Sequence, residues 1–244
     1  MTSRSRSDRH PSPPLGVLAA IFTALFLAGL VVMLLTAGGE HFPNPFADPS
    51  KAAAYFREHA LAVQWGGFLQ FCAAIPLGLF AASSSSRLRF LGIKAAGATI
   101  ALYGGLVASC LLALSGLSAW VLSQPGVDGA AARALHLLAF GLGGPGHVAT
   151  LGLLVAGLAV SSGLGGLLAR GWMWGGIAIA AASELSVLSL VFLPAAVFLP
   201  LGRFTAMVWL IAVGFLLPHS LAEAEDARSE SETRSGARPL RHAP

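Results

Sequence analysis

Charge is what this sequence has least of. Only 11% of its 244 residues are Asp, Glu, Lys or Arg, against about 25% in a soluble domain, and long stretches carry almost none. Lysine is nearly absent, with Lys51 and Lys94 standing beside 13 arginines. A hydrophobic share of 55% and a mean hydropathy of +0.74 exceed what a soluble core of this length could hide, which excludes an ordinary soluble domain and predicts an all-α, polytopic membrane protein. Cysteine is equally scarce. Cys72 and Cys110 fall inside predicted spans with no CxxC or metal spacing, so they read as small packing residues. HExxH, a carboxylate cluster, GxSxG and GxxxxGK[ST] are all missing, which removes an ATP-driven motor and leaves no recognisable metal or nucleophile motif. No cofactor is predicted, and no motif ties the chain to a particular family.

What the sequence has in quantity is long apolar runs. A helix crosses the ~30 Å hydrocarbon core with about 20 residues, and six stretches qualify: 15–37, 60–82, 95–122, 134–160, 172–199 and 204–221. They make one transmembrane domain over 15–222. The first follows Arg4, Arg6 and Arg9, as a signal peptide would, but its 23 apolar residues exceed the 7–15 of a signal core, so a retained helix is expected.

Arginine and lysine set the orientation. With the N-terminus inside, Arg4, Arg6, Arg9, Arg87, Arg89, Lys94, Arg170, Arg228, Arg234, Arg238 and Arg241 lie on the inner side, against Lys51, Arg57, Arg133 and Arg203 outside. Both termini are thus predicted cytoplasmic, and the net charge of +4 reflects topology rather than nucleic-acid binding. Arginine-for-lysine usage with abundant Ala, Gly and Leu points to a bacterial inner membrane. Trp65, Trp120, Trp172 and Trp174 fall near span ends, as interfacial anchors do, whereas Trp209 sits deeper and should pack between helices. Residues 1–14 and 223–244 have little to bury and are expected to be disordered tails.

The outer loop, residues 38–59, contains a helix start at Asp48-Pro49. Ala52, Tyr55, Phe56 and His59 follow at helical spacing, which predicts a short amphipathic helix on the membrane surface. The upstream FPNPF run reads first as an interfacial anchor and second as a cover over the mouth of a cavity.

Chemistry is expected where polarity is costly. Glu184 is the only acid deep in a span, and an ionisable group there marks a functional site or a polar interior. His147, on the preceding span, lies at the same depth: at 1.5 Å per residue both are ~18–20 Å from the inner boundary. A Glu184–His147 pair at the midplane is therefore expected. His136 shares the face of His147, and Ser183 and Ser186 (with Ser189) could add hydroxyls. Gly143, Gly144, Pro145 and Gly146 precede His147 and weaken the helix there. The run is either a packing kink or a functional break of the kind transporters use. Gln64, Gln70 and Tyr103 read as interhelical hydrogen-bond formers.

These features support a polar midplane pocket for proton-coupled transport or sensing of a small molecule. The alternatives are a non-catalytic scaffold or partner-stabilising subunit, and an intramembrane metal-dependent enzyme using His136, His147 and Glu184. Expected contacts are the lipid bilayer, a small-molecule ligand, and a second copy or another membrane protein.

Overall fold

The computed structural model describes residues 9–46 and 48–236. It is 82% helix, with no strand among the described residues. In chain order the elements are α1 (Leu15–Thr36), α2 (Pro49–Glu58), α3 (Ala60–Phe90), α4 (Gly97–Leu122) and α5 (Gly129–Gly141). A π-helical segment, Leu142–Gly146, leads into α6 (His147–Leu164). Then come α7 (Arg170–Leu185), two 3₁₀ segments (Ser186–Leu190 and Leu193–Val197), α8 (Phe198–Leu216) and α9 (Leu221–Gly236). Six stretches are long and apolar enough to cross a membrane: Leu15–Thr36, Ala60–Phe90, Gly97–Leu122, Gly129–Leu164, Arg170–Leu190 and Leu193–Leu216.

Two boundaries differ from the sequence reading, and prolines explain both. The fifth span was expected to run to residue 199. It stops at Leu190, and the sixth begins at Leu193 rather than at 204. Phe192 is extended (φ −134°, ψ 96°), and Pro194, which has no amide hydrogen to give to a preceding turn, stands in the first turn of the next segment, so the chain turns there and not at the later Pro200. The sixth span likewise ends at Leu216 instead of 221. Leu217 is extended (φ −69°, ψ 125°) because Pro218 follows it.

The six spans close into a ring. Each packs on the next (α1 on α3, α3 on α4, α4 on α6, α6 on α7, α7 on α8), and α8 returns to α1. The fourth span also touches α3 and α8, which makes it the most enclosed. Small residues permit this closeness. A Cβ on Gly116 would lie 2.6 Å from the Gly67 carbonyl oxygen, joining α3 to α4. One on Gly157 would lie 2.6 Å from the Gly97 oxygen, joining α6 to α4. Trp209 is buried, and its indole N–H donates to the Trp172 carbonyl at 3.1 Å, so it packs between α7 and α8 as expected.

One end of the ring carries the loop after α1, together with α2. Asp48 caps α2 by accepting from the Ser50 amide at 2.9 Å, with Pro49 in the first turn. The apolar face of α2 does not lie free on a surface, however. Ala52, Tyr55 and Phe56 are buried in a cluster with Phe42 and Leu135, so this face packs on the protein itself.

The other end carries the two terminal segments that are described, residues 9–14 and 217–236. The expected disordered tail from Glu223 is instead helical through Gly236, while residues 237–244 lie outside the described residues. The Ser220-x-x-Glu223 pattern starts this helix: the Glu223 amide donates to Ser220 Oγ and the Glu223 carboxylate accepts from the His219 amide. Ala224 is fully buried, and Arg228 donates to the Leu91 and Gly165 carbonyls, which tethers α9 across two loops. The N-terminal segment is also held over residues 9–14, by an antiparallel bridge between Arg9 and Ser220 and by Arg87, which donates to Ser12 Oγ and the Pro13 carbonyl. Residues 1–8 lie outside the described residues.

Candidate functional site

The expected Glu184–His147 pair does not form. His147 is fully buried, and its Nδ1–H donates to the Ala108 carbonyl of α4 at 2.9 Å, leaving Nε2 without a partner. Its ring stands edge-on to Phe22 at 6.5 Å. Glu184 faces outward on α7 and is exposed. Its Oε1 lies 3.5 Å from where a Cβ on Gly152 would stand, more than a helical turn along α6 from His147. Glu184 is thus offset from His147 along α6, and rotation about the helix axis, which counting residues along a span does not fix, separates them as well. Ser183 and Gly202 contact each other and set α7's inner face, and Glu184 is turned about 100° from Ser183.

The serines are inward but occupied locally. Ser183 Oγ donates to the Ile179 carbonyl and Ser186 Oγ to the Ser183 carbonyl, while Ser189 is buried with no side-chain partner. Gln70 makes the interhelical bond expected of it, donating to Ser115 Oγ at 2.9 Å. Gln64 and Tyr103 are exposed. Both cysteines are free.

The Gly-Pro run is a genuine break. Gly144 (φ −84°, ψ −107°) leaves helical geometry, and Pro145 supplies no amide hydrogen. The freed Gly143 carbonyl accepts from the Nη2 of Arg203, which reaches across from α8. Arg203 had been assigned to an external loop. It lies instead ten residues past Leu193 and thirteen before Leu216, in the middle of the sixth span. Its guanidinium stacks over the Phe26 ring at 5.1 Å, and its Nε is buried without a partner.

Arg203 and the break border a cavity of about 320 Å³. Five spans contribute to it: α1 through Phe26 and Met33, α3 through Gln70, α4 through Ser115, the fourth span through Phe140 and Gly143, and α8 through Arg203 and Phe204. Most of the wall is apolar. The polar exceptions form a connected edge, because Ser115 Oγ receives Gln70 Nε2 and passes its own proton to the Ala139 carbonyl at 2.9 Å.

His136 also borders this cavity, and its role is positional. Its Nε2–H donates to the Pro43 carbonyl at 3.1 Å, and its ring stands edge-on to Phe42 and Phe56 at 5.3 and 5.0 Å. Phe46 stacks edge-on to Phe140 at 5.3 Å. The FPNPF run is therefore pinned across the cavity's mouth, which favours the cover over the interfacial anchor. Ser183, Ser186, His147 and Glu184 do not line this space; Gly143, Gly144 and His136 do.

The residue that sequence reasoning missed is Arg203, and the signal that could have found it was Pro194. A span begun at that proline carries Arg203 near its centre, where a cation is costly and needs an explanation. Among the described residues no three His, Cys, Asp or Glu side chains converge where a metal could be held, so His136, His147 and Glu184 do not form a ligand set. Comparison with family models, curated proteins and solved structures finds no match to this chain. The functional reading therefore rests on the site's own geometry.

Proposed function

We propose that this is a multi-pass membrane protein that binds a small molecule in the covered cavity and carries or senses it. The observation that supports this is the cavity itself: about 320 Å³, within the range of small-ligand sites, walled by apolar side chains with a few polar groups gathered on one edge. Its mouth lies under the loop between α1 and α3. Its floor is the break in the fourth span, the element best placed to change shape because it has already given up helical hydrogen bonds.

Six spans put both termini on one side. Moving Arg203 from loop to span changes the flanking count to eleven cations on the terminal side against Lys51, Arg57 and Arg133 on the other, which strengthens the assignment of both termini to the cytoplasm of a bacterial inner membrane. The chain offers a clean test, since its two lysines are exposed at opposite ends of the ring. A membrane-impermeant amine reagent on sealed cells should label Lys51 and spare Lys94; the reverse pattern overturns the orientation.

In the transport form of this reading Glu184, the single carboxylate in the spans, titrates alone on α7 rather than in a pair with His147. The sensing form needs no such group. The binding claim is tested by thermal unfolding of the purified protein against a panel of small carboxylates, amides and amines. A compound at a hundredfold its Kd adds about 2.7 kcal/mol of stability. That gain should disappear in Ala139→Phe, which fills the cavity. A panel that stabilises neither protein, or both equally, refutes the cavity as a ligand site.

One observation favours the scaffold alternative. Glu184 opens an exposed apolar strip that continues through Leu188, Val191 and Phe192. A second copy or another membrane protein that hydrogen-bonds the carboxyl would cover it. Chemical cross-linking at this strip in native membranes, lost in Glu184→Gln, would support that reading; its absence would count against it.

A further inference from the structure

Resting on the cavity reading, we infer that the ligand is a small organic monoanion, a carboxylate carried on an apolar body of about one ring or a short chain. Arg203 is the reason. A guanidinium cannot release its proton in a protein, so its charge must be met wherever it is buried. Here it is met incompletely. One Nη donates to the Gly143 carbonyl, one face rests on Phe26, and Nε has nothing. Among the described residues no carboxylate lines the cavity beside it, and the His59–Glu40 contact belongs to the loop end of the ring. The fold thus holds a cation in its middle, beside a cavity whose described lining carries no carboxylate.

Three properties of the void narrow what fills it. The guanidinium presents a planar fork that matches a carboxylate in its own plane, and stacking on Phe26 fixes that plane. Among the described residues Arg203 is the only arginine or lysine lining the cavity, and His136, the histidine on its wall, spends its Nε2–H on the Pro43 carbonyl. His147 donates to a carbonyl and stands outside the lining, so the site answers one negative charge, not the two of a phosphate monoester. The remaining wall, with Phe26, Met33, Phe140 and Phe204, suits an apolar body, and the volume of about 320 Å³ limits its size. Gln70 and Ser115 stand on the polar edge, where they could receive a second polar substituent.

The test compares isosteric pairs on the full-length protein in detergent: benzoate with benzamide, and hexanoate with hexanamide. The readout is titration calorimetry on wild type, Arg203→Gln and Arg203→Lys. Each carboxylate should bind wild type at least tenfold more tightly than its amide. Arg203→Gln should bring carboxylate affinity down to that of the amide while amide binding stays as it was, which also shows the variant folded. Arg203→Lys, which keeps the charge but not the fork, should retain part of the preference. Equal affinity for acid and amide in wild type would overturn the anion assignment and leave the cavity reading standing. Failure of all four compounds to bind wild type would remove both. The wild-type comparison decides the matter even if a variant cannot be purified.

Discussion

Two of the arginines reach into the helix ring, one fully buried and one half-buried, and they are held in opposite ways. Arg87, at the end where the termini meet, is fully enclosed. Its Nη2 reaches Ser12 Oγ at 2.8 Å and the Pro13 carbonyl at 3.2 Å, and its Nε reaches Ser12 again at 3.3 Å. Arg203, under the covered loop, has one carbonyl, one aromatic face and an open space. The first guanidinium spends Nε and Nη2 on fastening the N-terminal segment to α3, and only its Nη1 is left without a partner. The second is held in position and left wanting. The same residue type therefore marks a latch in one place and, in the proposed reading, a recognition group in the other, and what separates them is what they face: Arg87 reaches a terminal segment through three hydrogen bonds, Arg203 a cavity through one.

The largest effect that would expose this contrast is on stability. Arg87→Ala strands the Ser12 hydroxyl and the Pro13 carbonyl and should cost about 3 kcal/mol, read by thermal unfolding in detergent and by early proteolysis after Arg9. Arg203→Ala should change stability by less than about 1 kcal/mol, because the guanidinium's own burial cost is removed along with its few contacts. Similar losses in the two variants would erase the distinction.

A smaller change sharpens the latch side alone. Ser12→Ala takes away the oxygen that Arg87 uses twice and should cost about 1–2 kcal/mol, with faster hydrogen exchange over residues 9–14 and none at the cover over the cavity. Exchange that rises at both ends would mean that the ends are one cooperative unit.

Acid should act on the same end. Burial and the Arg87 charge hold His10 below the ordinary histidine value of 6.5, and burial, Arg87 and Arg9 do the same to His219, with Glu223 opposing. The detached segments take up protons more readily than the docked ones, so docking is strongest above about pH 6.5 and weakens as pH falls below it. Glu223, held below its usual value mainly by the His219 amide, adds to the loss only below about pH 4.5. Hydrogen exchange over residues 9–14 and 221–228 should accelerate between pH 7.5 and 5.5, whereas Lys94→Gln, which touches none of these groups, should leave the profile in place. A flat profile would remove the histidines from the latch.

The smallest expected effect is at Glu184. With no hydrogen-bond or ion-pair partner among the described residues, Glu184→Gln should alter stability by no more than about 0.5 kcal/mol. A loss of several kcal/mol would restore the pair with His147 and undo the description of α7 given above.

Hydropathy made the number and approximate place of the spans legible, because a run of apolar residues is a property of composition. Asp48-Pro49 likewise gave the start of α2, and the Gly-Pro run gave the break. The errors came from two quantities that hydropathy does not carry. One is the exact point at which an apolar stretch turns: residues 172–199 look uninterrupted unless Pro194 is given precedence, and Arg203 was assigned to the wrong environment for that reason. The other is rotation. Residue counting predicts one depth for His147 and Glu184, but Ser183 and Gly202 decide which side of α7 meets its neighbours, and that contact is written in the small residues of α8. The helix from Leu221 was missed on composition, although Ser220 and Glu223 carried a recognisable start.

The ring closes only when α8 meets α1, through Gly16 against Gly214 and Phe215. Between Thr36 and Leu216 lie 180 residues, about ten to forty seconds of ribosomal synthesis at ~5–20 residues per second. Throughout that interval the first helix has α3 and, through Phe22 and His147, the edge of α6 beside it, while the flank bearing Gly16 stays uncovered until the last of the spans is made. Assembly of this protein is therefore timed from its end: the final helix both completes the wall and delivers the guanidinium, so the cavity acquires its charge in the same step that seals it.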